Sequence, residues 1–249
     1  MGHEEFFAAT LFNRWIANPL ARLLGIHAEH DVLPAHVVMI LLVGLALVLL
    51  SAAVRRRLSV DKPGNFQQFL ELLAEGLNSL ARDVIGGSAR RFFPLLGGLF
   101  IFILVCNLLG LVPGFMSPTS NINVTAGMAV LVFIYYNYVG FRLHGFWKYM
   151  AHFAGPSLAV APLLFVIEII SHCARPFSLS VRLFGNIFAE ELIIATLNGM
   201  FPFGISLPVM ALAVFASTIQ AFIFVVLTMV YLGGALEDAH EEEMPSAEV

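Results

Sequence analysis

The sequence predicts an all-α integral membrane protein with about five membrane-spanning helices and one amphipathic surface helix, the last two spans forming a long, strongly tilted hairpin. Three observations predict it. Residues of the set AVILMFWYC make up 59% of the 249 positions, against roughly 45–50% in soluble domains. Charged residues are only 12%, about half the usual ~25%, and mean hydropathy is +0.87. Charge-free windows of membrane-spanning length recur along the chain. Such a composition cannot cover a water-facing surface with charge, so the solvent is lipid. Net charge is −4, with Glu237, Asp238, Glu241, Glu242 and Glu243 gathered at one end, and no basic field exists for nucleic acid. Cys106 and Cys173 both lie in apolar stretches, which argues against a disulfide framework or a four-thiolate metal site. No metal or cofactor is expected.

Residues 1–31 are expected to form an N-terminal segment outside the membrane or at its surface. Glu4 and Glu5 and the scattered arginines break any apolar region of the kind a secretory signal needs. Phe6, Phe7, Leu11, Trp15, Ile16, Leu20, Leu23 and Leu24 recur at helical spacing, the pattern of a helix lying on the membrane; a loosely ordered tail is the alternative. Crossing a ~30 Å hydrocarbon core takes about 20 mostly apolar residues. The first such window is 32–54, and it stops at Arg55, Arg56 and Arg57, which places that end in the cytoplasm and the N-terminus outside. From 66 to 85, Phe66, Phe69, Leu70, Leu73, Leu77, Leu80 and Ile85 alternate with polar residues at a period that predicts a cytoplasmic surface helix. Residues 92–141 lack Asp, Glu, Lys and Arg, and the proline-bearing segment Pro113–Asn123 cuts them into spans 92–112 and 124–144. Seven basic residues between Arg55 and Arg91, with Arg142 and Lys148, share one face, and only Arg14 and Arg22 lie opposite. The last two spans are 158–201 and 205–236, joined by a turn at Pro202, Gly204 and Pro208. At 1.5 Å per residue the final span alone measures about 48 Å, so it must tilt or protrude. Residues 237–249 read as an acidic, solvated cytoplasmic tail.

Ionisable groups inside lipid-embedded segments cost several kcal/mol each and therefore face a partner, a cavity or an ion path. Advancing 100° per residue from Glu168 brings His172, Arg175, Arg182, Asn186 and Glu190 within about 40° of one line. Glu191 falls off that face, and Pro176 can offset the two halves of the stripe. Glu168 and Arg175, seven apart, either belong to the stripe or neutralise neighbours near the membrane surface. His172 is either a relay or a structural hydrogen-bonding group. His36 and His152 stand near span ends, at the interface or as metal or haem ligands. Arg182 sits among Val181, Leu183 and Phe184, too central to snorkel easily. It stays protonated, so it can repel cations and attract a partner's carboxylate but cannot carry protons. Glu190 and Glu191 can bind and release them. No Gly-x-Ser-x-Gly elbow, His-Glu-x-x-His pair or Walker-type loop occurs, so no catalytic site of its own is expected. A gated proton relay is thus one reading. A stand-alone secondary transporter with an intramembrane Arg/Glu site for an anion is another, though no second copy of the charged hairpin suggests an inverted repeat. A structural assembly subunit is the third.

Ser178–Leu192, SLSVRLFGNIFAEEL, and Gln220–Leu232, QAFIFVVLTMVYL, with a weaker match at Cys106–Pro113, CNLLGLVP, resemble subunit a of the F-type ATP synthase. The resemblance implies a multi-pass protein of a bacterial inner membrane, N-terminus periplasmic and C-terminus cytoplasmic, which makes residues 1–31 a periplasmic or interfacial segment. It implies a proton-translocating stator subunit with two offset half-channels against a rotating c-subunit ring. Peripheral-stalk b-type subunits, the rest of the complex and lipid are the other implied partners. The complex's catalytic head would make the ATP. Arg182 would be the essential arginine that meets the ring carboxylate. Glu191, Asn186 and Gln220 match positions of the periplasmic-side path. Glu168, with His172 and Ser178, matches the cytoplasmic-side path. Asn107 would line the outer path or make a buried helix–helix bond, and Tyr231 matches more weakly. Two positions depart from the pattern. Many relatives carry an ionisable group where this chain has Ala213, and a small residue where it has Glu190. Glu190 is expected to replace the missing group and to work beside Glu191 as a coupled acidic pair.

Overall fold

The computed structural model describes residues 7–18, 33–59, 63–112, 115–145, 161–200 and 206–240. Their regular structure is helical: α1 (Phe7–Phe12) running into a π-turn (Asn13–Ala17), α2 (Ala35–Arg57), α3 (Asn65–Ile85), α4 (Ala89–Leu109), α5 (Ile122–His144), α6 (Ala161–Met200) and α7 (Ser206–His240). Much of the expected N-terminal surface helix, the turn at Pro202 and Gly204, His152 and the tail beyond His240 lie outside the described residues. Five helical stretches are long and apolar enough to cross a membrane.

The element boundaries differ from the expected ones by a few residues, for local reasons. The three arginines that mark the end of the first apolar window continue α2 to Arg57 instead of stopping it, since arginine is a good helix former. The amphipathic helix α3 ends where Gly86 takes φ 78 and returns its N–H to the Arg82 carbonyl, a conformation glycine adopts at little cost. A single 3-10 turn then leads into α4. The next span begins at Ile122 because the Asn121 side chain caps it, accepting from the Asn123 N–H at 3.0 Å. Helix α7 runs past the expected Leu236 to His240.

Helices α4, α5, α6 and α7 form the central bundle, with Phe100, Ile103, Tyr136, Leu183, Phe224 and Met229 in one core. Helix α2 is peripheral: Val38, Met39 and Val43 are buried, while Leu45, Val48 and Leu49 are exposed, as lipid-facing leucines on a span should be. Helix α3 buries Leu77, Ala81 and Ile85 against the bundle and leaves Phe66, Phe69 and Leu72 exposed. Its last turn approaches α7 so closely that a Cβ on Gly233 would lie 2.9 Å from the Val84 carbonyl oxygen.

Helix α6 has 40 residues and α7 has 35, about 60 and 52 Å long, roughly twice a ~30 Å hydrocarbon core. Pro176 lies inside α6 without ending it. Neither long helix could stand upright inside one bilayer, and the pair packs as the expected hairpin.

Candidate functional site: polar seams around the fourth spanning helix

Helix α6 carries most of the ionisable groups, and its sides meet different neighbours. Toward α7, the Asn186 Nδ2 donates to the Gln220 Oε1 at 2.6 Å. One turn further, the Ser217 hydroxyl lies 3.2 and 3.3 Å from the two Glu190 carboxyl oxygens. Asn186 and Glu190 are four apart on α6, and Gln220 and Ser217 three apart on α7, so an antiparallel crossing brings both pairs into register. Between these helices an open groove of about 480 Å³ is lined by Asn186, Ala189, Glu190, Ala213, Ala216 and Gln220 among others. The other described lining residues are apolar, and Glu190 carries the one carboxyl group of the set.

Glu191 points the other way. Its Oε1 accepts the Ser117 backbone N–H at 3.1 Å. Gly110, just past α4, leaves room for it: a Cβ there would lie 2.8 Å from that oxygen and 2.7 Å from the Ser117 Cβ. Behind this contact is a buried polar cluster. The Ser117 Oγ is 2.7 Å from the Thr119 Oγ1, Thr119 donates to the Asn107 Oδ1 at 2.7 Å, and the Asn107 Nδ2 donates to the Ser217 carbonyl at 3.2 Å.

Toward α5, His172 is buried, its Nε2 2.9 Å from the Asn137 Oδ1 and 3.3 Å from the Tyr136 hydroxyl. One turn on either side of His172, Arg175 lies 3.8 Å from Glu168; it also stands 5.5 Å above the Tyr231 ring. Both charged groups are partly exposed, so the pair contributes little. Arg182 is exposed on the outer face, in line with Ser178, Asn186 and Ala189. No ion-pair partner for it occurs among the described residues. A permanent cation at the middle of a 40-residue apolar helix therefore faces outward.

A family model described as ATP synthase A chain matches residues 36–233. The chain belongs to that family. Its relatives agree along most of its length. The ATP synthase subunit a of Trichlorobacter lovleyi is 42% identical over 232 residues, 92% of this chain and 98% of that protein. The ATP synthase subunit a of Geotalea uraniireducens is 46% identical over 200 residues, 80% and 86% of the two chains. ATP synthase subunit a 3 of Pelobacter propionicus is 44% identical over 196 residues, 79% and 85%.

Within this member of the family, the residues singled out from the sequence fall into separate sets. Asn186, Gln220 and Glu190 meet at the α6–α7 groove. Asn107 and Glu191 meet the turn that follows α4. His172 faces α5, Glu168 pairs with Arg175, and Ser178 is exposed beside the Arg182 face. The single stripe expected on α6 is thus divided among neighbours, because the partner changes along this 40-residue helix: Tyr136 and Asn137 of α5 at His172, Gln220 and Ser217 of α7 at Asn186 and Glu190. Glu168 lies 3.8 Å from Arg175, and the Asn107 amide donates to the Ser217 carbonyl of α7 across a buried helix–helix contact. Sequence reasoning passed over Ser117, Thr119, Ser217, Tyr136 and Asn137. Ser217 had a signal, standing three before Gln220 and four after Ala213 on the same helical face. The hydroxyls of the turn had none beyond their place in the segment that splits two spans.

Proposed function

We propose that the chain is the proton-translocating stator subunit of an F-type ATP synthase. It offers two offset half-channels to a ring of c subunits, with Arg182 between them. The observation that carries this reading is the outward-facing Arg182, unpaired within the described residues and one helical turn from Asn186 at the edge of the open groove that holds Glu190. A cation in that position costs several kcal/mol in lipid, so a partner's carboxylate is the fitting counter-charge. A ring carboxylate crossing lipid must be neutral; it gains a proton before leaving the interface and loses it on return to the arginine. Arg182 cannot relay that proton and so keeps the two channels from joining. Glu191, Asn107, Asn186 and Gln220 serve the periplasmic-side path, and Glu168, His172 and Ser178 the cytoplasmic side. Glu190 stands in the groove beside Ala213 and supplies the carboxyl that Ala213 lacks. Peripheral-stalk b-type subunits hold the chain still, the N-terminus is periplasmic and the C-terminus cytoplasmic. Each proton gains ~2.3 kcal/mol per 100 mV, so several must be summed for each ATP made by the catalytic head.

Passive proton flux through membranes stripped of the head, ATP-driven pumping by membranes that retain it, and ring co-purification together test the reading. Glu191→Gln should lose flux with the ring still bound. Arg182→Ala should assemble yet fail to couple ATP hydrolysis to pumping, and Arg182→Lys, which lacks the planar fork, should fail as well. Coupled flux at wild-type level in Glu191→Gln and Arg182→Ala would leave the chain a structural subunit. Unchanged conduction in Glu190→Gln across a wide pH range would remove Glu190 from the path.

A further inference from the structure

We propose that Thr119, together with Ser117, is a positioning residue of the proton path. The two hydroxyls, at the start of the Pro118–Ser120 turn and within it, set the Asn107 amide and the seat of Glu191 and tie both to α7. The inference rests on the reading above, in which Glu191 and Asn107 line that path.

The hydrogens of this cluster can be assigned from chemistry alone. The Ser217 carbonyl can only accept, so the Asn107 Nδ2, 3.2 Å away, must face it; a flipped amide would set two acceptors against each other. The Asn107 Oδ1 is then an acceptor, and the Thr119 hydroxyl, 2.7 Å away, must donate to it. Thr119 has one hydrogen, so across the 2.7 Å contact with Ser117 the serine is the donor. Ser117 shares its hydrogen with the Cys106 carbonyl at 3.0 Å. Donation therefore runs in one direction, from Ser117 to Thr119 to Asn107 to the backbone of α7. All four residues are buried: Ser117, Thr119 and Ser217 at 0% exposure and Asn107 at 2%. No water-facing side chain competes for these bonds, and none of the four can turn without orphaning a buried polar atom.

Both ends of the chain reach carboxyl groups. The Ser117 N–H holds Glu191, and the Ser217 hydroxyl holds Glu190 on the other side of α6. Neither the Ser117 nor the Thr119 hydroxyl takes up or loses a net charge at neutral pH, and the contribution proposed for them is geometric. Proton transfer falls steeply when donor and acceptor are misplaced by about 1 Å, and this turn joins the end of α4, the Glu191 seat and α7 in a single arrangement.

The test uses the assembled complex, with passive proton flux through head-stripped membranes and ring co-purification read together. Thr119→Val keeps the side chain's shape and deletes its donor; flux should fall about tenfold with the ring retained. Thr119→Ser keeps the donor and should restore wild-type flux. Thr119→Val added to Asn107→Leu should slow flux no further than Asn107→Leu does. Wild-type flux in Thr119→Val, or a Thr119→Ser variant as slow as the valine one, would overturn the proposal. If Thr119→Val fails to retain the ring, Ser117→Ala decides, since it removes the donor to Thr119 and leaves the backbone N–H for Glu191: reduced flux supports the role and normal flux overturns it. Glu191→Gln in the same series separates the two readings. Normal flux there sinks the path itself, whereas lost flux there with normal flux in Thr119→Val sinks only the positioning role.

Discussion

Replacing Gly110 by alanine should weaken both the stability of the chain and proton conduction, although its backbone gives no reason for it. Gly110 has φ −64 and ψ −18, a conformation alanine adopts freely, and on that ground alone Gly→Ala stabilises by ~0.4–1 kcal/mol. The added Cβ, however, would meet the Ser117 Cβ at 2.7 Å, the Glu191 Oε1 at 2.8 Å and the Ser117 nitrogen at 3.3 Å. Two responses are open. If the turn shifts, overpacking costs ~1–3 kcal/mol, and Ser117 is held against that shift by Cys106 and Thr119. If Glu191 swings away, its bond to the Ser117 N–H is lost, a loss of ~1.5–3 kcal/mol for a charged acceptor. After the backbone gain, the first route leaves a net loss of about 0–2.6 kcal/mol and the second about 0.5–2.6 kcal/mol, both centred near 1.5 kcal/mol. Thermal unfolding of the purified complex reads the stability, and head-stripped membranes read the flux. Gly76→Ala in α3 is the control, since nothing lies within 4 Å of a Cβ there and the change should be neutral or stabilising by up to ~1 kcal/mol. A Gly110→Ala complex as stable as Gly76→Ala and conducting at the wild-type rate would refute the reasoning.

Gly233→Ala should lower the unfolding temperature, because its Cβ would meet the Val84 backbone oxygen at 2.9 Å and a backbone atom cannot give way as a side-chain tip can; an unchanged midpoint would mean that α3 and α7 separate freely at this point. Asn186→Leu should destabilise by ~1–3 kcal/mol by leaving the buried Gln220 amide unpartnered, and Gln220→Leu by less on this account, since the Asn186 amide it orphans is exposed. The double variant should lose less than the sum, a coupling of ~0.5–3 kcal/mol in a double-mutant cycle; strict additivity would show that the 2.6 Å bond contributes nothing.

Spans and their order were legible in the sequence because lipid imposes a one-dimensional requirement: enough consecutive apolar residues, ended by charge or broken by proline and glycine. Five such stretches could be counted from composition alone, and the excess length of the last two already pointed to a tilted hairpin. Arg182 stood out for the same reason, as a permanent charge among Val181, Leu183 and Phe184. The helical wheel was less dependable, because it reports an angle on one helix and says nothing of which neighbour occupies it. It put Glu190 with Asn186, and these do meet α7 together. It also put His172 on that line, whereas the fold turns His172 to Tyr136 and Asn137 on α5.

By itself the sequence determined the solvent, the number and order of the long apolar helices and the ionisable residues they carry, since each follows from local composition and a fixed rise per residue. Only the tertiary structure decided that Glu190 and Glu191, adjacent in the chain, serve two different seams. About 100° separates neighbouring side chains on a helix, enough to send one carboxyl to Ser217 of α7 and the other to Ser117 of the turn after α4. The serines that receive them, Ser117 through its backbone N–H and Ser217 through its hydroxyl, are 100 residues apart in sequence, and no local rule links them.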